Sequence, residues 1–122
     1  MKIKYFVILA VIFVCAAAIT GCGRSRNYGE QISNATATSI KDILIAGKEY
    51  DGRAVKVNGR IATECSTGCW FDLKEDGAVI YVDVEPSGFA IPQAVGRAAT
   101  IEGTVTVKDG KSMITGKGVR IE

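Results

Sequence analysis

The sequence predicts a mainly β domain: five strands that close as a small coiled barrel, with one short helix at its N-terminal side. Three observations predict it. Apolar and polar residues alternate with period two in successive stretches from Ala54 onward. Glycines fall inside the first, fourth and fifth of these stretches, where a flat sheet would avoid them and a bent one uses them. A connection containing Pro86, Gly88 and Pro92 divides three strands from two.

Ahead of the domain stands a segment of different character. Met1 to Lys4 is a short basic start, and Tyr5 to Ile19 is a run without charge. This reads as a secretory signal. The uncharged run continues to Gly23, long enough on length alone for a membrane-spanning helix. Its ending favours cleavage. Ile19-Thr20-Gly21-Cys22 resembles the bacterial lipobox, a branched residue and two small ones before cysteine. The resemblance implies a diacylglyceryl thioether on Cys22, cleavage before it, and a chain held at the membrane by its acyl groups. It places residues 1–21 in a lipoprotein signal peptide and the mature chain in the cell envelope, facing the periplasm or the exterior. Gly23, where an aspartate is absent, resembles the class sorted to an outer membrane. Residues 22–38 hold Gly, Ser, Asn and Thr with little apolar bulk, and are expected to form a flexible tether. Arg24 and Arg26 within it are suited to anionic head groups.

The domain is expected over residues 39–122. Ser39 to Gly47 predicts the helix: Ser39 caps it, Ile40, Ile43 and Leu44 share a face, and Gly47 ends it. Ala54 to Thr63 predicts the first strand, with Val55, Val57 and Ile61 inward. Cys69 to Leu73 predicts the second, with Phe71 and Leu73 opposed to Trp70 and Asp72. Asp76-Gly77 is a turn signal. Ala78 to Val84 predicts the third, with Ile80, Val82 and Val84 opposed to Val79, Tyr81 and Asp83. Ala98 to Val107 predicts the fourth, and Asp109-Gly110 turns the chain into the fifth, Lys111 to Ile121. Gly116 and Gly118 there predict a bulge.

Three strands, a connection and two strands resemble the OB-fold, a partly open five-stranded barrel that binds oligonucleotides and oligosaccharides. Gly52-Arg-Ala-Val55-Lys-Val57-Asn-Gly59 and the similar Gly96 to Gly103 phrase match strand entries common in such domains. Cys65-Ser-Thr-Gly-Cys-Trp70 together with Gly88-Phe-Ala-Ile-Pro92 resembles a group of small bacterial lipoproteins with OB-type domains and a C-x-x-G-C-W stretch. That resemblance implies fold and address and assigns no activity.

Composition narrows function. The chain has 15 basic and 13 acidic residues; without Lys2 and Lys4 the balance is 13 to 13. A nucleic-acid binder ordinarily carries a basic surplus. Histidine is absent, which disfavours haem, most zinc enzymes and histidine-based acid–base catalysis. No nucleophile elbow or phosphate loop occurs. No catalytic residue and no cofactor is expected.

Two constellations remain. Cys65 and Cys69 stand four apart in a predicted turn. They suit a structural disulfide worth about 1–2 kcal/mol for so short a loop. As a second reading they suit a soft-metal site for Cu or Zn, with Asp72, Asp83, Glu64 or water completing zinc. A redox dithiol is less well matched, because the spacing is not C-x-x-C. Alternation also puts Trp70, Asp72, Tyr81 and Asp83 on one outer face. Aromatic rings there stack on ligands. The aspartates disfavour phosphate-rich partners, with Lys56, Arg60 and Arg97 as local compensation. The alternative is that the Pro86–Pro92 connection simply covers Trp70. The expectation is a membrane-anchored module for a small-molecule or protein ligand, with metal or thiol chemistry at Cys65 and Cys69 as the rival reading and nucleic acid a further one.

Overall fold

The computed structural model describes residues 24–122. The leader, the cleavage position and Cys22 lie outside the described residues. Six strands and two short helices follow in order. These are β1 (Arg26–Gly29), α1 (Ile40–Ile45), α2 (Gly47–Tyr50), β2 (Ala54–Glu64), β3 (Trp70–Glu75), β4 (Ala78–Asp83), β5 (Ala98–Lys108) and β6 (Lys111–Ile121). A short 3₁₀ turn, Glu85–Ser87, opens the connection between β4 and β5.

β2 to β6 close the expected OB-fold-like barrel. β2, β3 and β4 form an antiparallel meander. β5 returns to lie antiparallel to β2, and β6 pairs antiparallel with β5 and parallel with β4. The long first barrel strand makes this closure: Ala54 to Arg60 pair with β5, while Arg60 to Glu64 pair with β3. A register shift at Ala62 bends it between these two partners. The predicted irregularity in β6 is present, with Lys117 the extra residue between Gly116 and Gly118. Both Asp-Gly turns carry positive φ at both central residues, the mirror-image turn whose twist matches antiparallel strands.

The core follows the predicted alternation. Val57, Ile61, Phe71, Leu73, Ile80, Val82, Val84, Ile101, Val105, Ile114 and Val119 are buried together. Each such side chain contributes about 1.5–3 kcal/mol by removal from water. α1 packs against β3, β4 and β6, and buries Ile40 and Ile43. The Ser39 hydroxyl accepts from the Asp42 N–H at 3.1 Å, as the capping pattern predicts. Glu75, at the far end of β3, accepts from the Ile40 N–H at 2.9 Å. Gly47 does not end the helical segment. It opens the second short helix, α2, after a break at Ala46.

The tether reading needs correction. Arg26–Gly29 pairs in register with Val119–Ile121 and Gly118, so part of 22–38 is ordered strand. Ser33 donates from its N–H to Glu102 at 2.9 Å, and the Thr38 N–H donates to the Lys56 carbonyl at 2.7 Å. The physical reason is an open edge. β4 covers β6 only at Met113 to Thr115, and the bare backbone beyond would remain unpaired. β1 fills that edge, with Tyr28 packed on the core. Among the described residues, no helix is long and apolar enough to cross a membrane.

Candidate functional site

The turn carrying the two cysteines is set by its glycine. The Gly68 N–H donates to the Cys65 carbonyl at 2.9 Å, and the Cys65 N–H to the Trp70 carbonyl at 2.9 Å. Gly68 has φ +73°, in the left-handed region that favours glycine, and the Ile91 carbonyl occupies the place of a β-carbon. The Ile91 N–H donates back to the Gly68 carbonyl at 3.1 Å, and the Val84 N–H to the Cys69 carbonyl at 3.1 Å. The turn is thus tied to the connection on one side and to the end of β4 on the other.

Cys65 and Cys69 are half-buried and both are free thiols. No disulfide joins them. Their side chains lie within hydrogen-bond reach of each other, and Cys65 Sγ is 3.1 Å from Thr67 Oγ1. The hydrogen bond from Cys69, aided by Thr67, lowers the Cys65 thiol from 9.0 to about 6. The same bond favours the protonated form of Cys69 and pushes that thiol up.

The four face residues come together as the alternation predicts. Trp70 is opposite Asp83, and Asp72 opposite Tyr81, across the β3–β4 ladder. The diagonal pair stacks: the Trp70 and Tyr81 rings are 5.4 Å apart between centroids, at an interplanar angle of 28°. Asp72 accepts from the Thr63 hydroxyl at 2.6 Å, and Asp83 from the Glu85 N–H at 3.1 Å. Partial burial, then Asp83, then Cys69, raise the Tyr81 hydroxyl above its ordinary value and hold it protonated. Cys69 immediately precedes Trp70, the first residue of β3, so the thiol turn adjoins this face.

The expected compensating cations are engaged elsewhere. Lys56 donates to the Ser33 carbonyl at 2.8 Å, Arg60 to the Gly96 carbonyl at 3.0 Å, and Arg97 to the Glu122 carbonyl at 2.7 Å. Glu64, a zinc-ligand candidate, accepts from the Ala94 N–H with both oxygens at 3.0 Å. Among the described residues, no group of three or more His, Cys, Asp or Glu is placed to hold a metal ion.

Sequence reasoning missed the groove beside the rings. A cavity of about 730 Å³ runs from Asp72 and Tyr81 past Val79 to Leu44, Met113 and the Lys108–Ser112 hairpin. Leu44 is 41% and Val79 43% exposed, large apolar side chains left facing it. The outward Val79 in an alternating strand was the available signal. Leu44 was expected to face inward with Ile40 and Ile43.

Comparison with known proteins agrees on fold. The chain is similar to the hypothetical protein ygiW from E. coli, at 19% identity and a TM-score of 0.58, over 78% of this chain and 99% of that one. It is also similar to a protein from Leishmania major Friedlin described as an aspartyl-tRNA synthetase, at 15% identity and a TM-score of 0.57. That match covers 77% of this chain and 22% of the longer one. At these identities the likeness is one of fold. No family model matches the chain, and no curated protein does.

Proposed function

We propose that this chain is a non-enzymatic binding module of the cell envelope, lipid-anchored through Cys22, that takes a neutral or cationic ligand on the outer face of β3 and β4. The observation that carries the reading is the Trp70–Tyr81 stack beside Asp72 and Asp83, adjoining at Tyr81 and Asp72 a groove walled by Leu44, Val79, Met113 and the polar Lys108–Ser112 hairpin. Stacked rings offer a flat face to a sugar or an amine, and paired carboxylates accept its hydroxyl or ammonium hydrogens. OB-type barrels use this surface for ligands. The resemblance to small lipoproteins with a C-x-x-G-C-W stretch supports the address.

Nucleic acid is the weaker reading, although one structural neighbour is described as a tRNA synthetase. Asp72 and Asp83 would repel a phosphate backbone, and Lys56, Arg60 and Arg97 are bonded to carbonyls elsewhere.

Trp70 is the sole tryptophan, so its emission reports on the face. Titration with neutral oligosaccharides, cationic peptides and single-stranded DNA is expected to shift emission with one of the first two. Tyr81→Ala is expected to weaken that response at least tenfold. Tight DNA binding that fades with salt would overturn the reading. Mass spectrometry of native material is expected to find acylated Cys22 at the N-terminus; an intact leader without fatty acids would overturn the anchor.

A further inference from the structure

We propose that Cys65 and Cys69 form a two-coordinate site for a soft monovalent d10 cation, of the class of Cu(I) or Ag(I). The proposal goes beyond the ligand face and stands without it, because it rests on the thiol turn alone.

The turn is a built chelate. Cys65 and Cys69 flank one turn that the Cys65 N–H closes onto the Trp70 carbonyl, and both residues are free and partly open to solvent. Four backbone hydrogen bonds hold the loop: Cys65 to Trp70, Gly68 to Cys65, Ile91 to Gly68 and Val84 to Cys69. The fixed backbone means that little ordering remains to be done on binding. A bond between the sulfurs is one use of such a turn. In this structure they are instead free thiols.

Ligand count selects the metal. Zinc takes four ligands, and among the described residues no third His, Cys, Asp or Glu is grouped with the two thiols to help complete it. Histidine is absent from the chain. Two thiolates without a third grouped ligand suit a soft cation that is content with two donors. The surroundings also favour a cation. Asp72 and Asp83 lie on the adjoining face, and the Trp70 ring belongs to the residue next to Cys69. Binding replaces the sulfur protons by the metal. Each thiol forms one sulfur–metal bond and releases its proton to water, and no electron is transferred.

The test uses the full chain purified from its own membranes in detergent, with reductant removed under argon. Silver(I), and copper(I) presented as its bicinchoninate complex, are titrated while Trp70 emission is followed. One ion per chain is expected, with emission quenched at the same equivalence. Cys65→Ser and Cys69→Ser are each expected to lose at least tenfold in affinity. Wild-type chain alkylated at both thiols supplies the same control without a substitution. Equal uptake by wild-type and alkylated chain would overturn the proposal, and so would zinc displacing silver. Native chain whose Cys65 and Cys69 resist alkylation until a strong reductant is added would also overturn it, because a disulfide then occupies the pair.

Discussion

The Ile91 carbonyl oxygen sits where Gly68 would carry a β-carbon, and the Ile91 N–H bonds to the Gly68 carbonyl. This contact joins the cysteine turn to the Pro86–Pro92 connection. Gly68→Ala therefore meets two penalties, a left-handed φ and a backbone collision. The expected loss is about 2–4 kcal/mol. Urea denaturation followed by circular dichroism measures it, and an unchanged midpoint would show that the turn yields freely.

The ordered N-terminal strand makes a second outcome measurable. A fragment beginning at Ser39 lacks β1 and leaves the β6 edge at Gly118 to Ile121 unpaired. It also lacks the Ser33 contacts with Glu102 and Lys56. At about 0.5–1.5 kcal/mol net per hydrogen bond, it should be about 2–4 kcal/mol less stable than one beginning at Arg24. Equal stability of the two fragments would mean that β1 is an ornament on a complete barrel.

What alternation could reveal, it did. Val57 and Ile61, Phe71 and Leu73, and Ile80, Val82 and Val84 are buried because period-two patterning admits one inward face. The Asp76-Gly77 turn then fixes the register, so Trp70 and Tyr81 had to share the opposite face. β1 was not legible. Arg26-Asn-Tyr-Gly29 shows no apolar alternation, and backbone pairing holds it. The groove was not legible either, since Leu44, Val79 and Met113 meet only after the barrel closes. Glu64 to Ala94 and Glu75 to Ile40 are long-range carboxylate-to-backbone bonds that leave no local pattern.

The helix entry offers a third test. Ser39 and Glu75 satisfy two N–H groups at the start of α1, which would otherwise lack partners. Ser39→Ala and Glu75→Ala are each expected to cost about 1 kcal/mol. For a domain of this size that lowers Tm by about 4–8 °C. Glu75→Gln keeps an acceptor oxygen and is expected to recover most of the loss. Calorimetry that found Glu75→Gln as damaging as Glu75→Ala would assign the effect to charge and not to the hydrogen bond.

The thiol pair predicts an asymmetric pH profile. Cys65 is lowered to about 6 chiefly by the hydrogen bond from Cys69, then by Thr67, and Cys69 is raised from 9.0 because that bond favours its protonated form. The thiolate is the form that alkylates. One equivalent of iodoacetamide should therefore react with a rate that rises through a midpoint near pH 6 and levels off above it. The second equivalent should stay slow until the solution is more alkaline than 9.0. Peptide mapping should place the first label on Cys65. Cys69→Ala removes the donor that stabilises the Cys65 thiolate, so the sign of the change is upward and the midpoint should return toward 9.0. Thr67→Ala, removing the smaller contribution, should raise it less. Two equal midpoints in the wild-type chain would mean that the sulfurs titrate independently and that the hydrogen bond between them does not persist in solution.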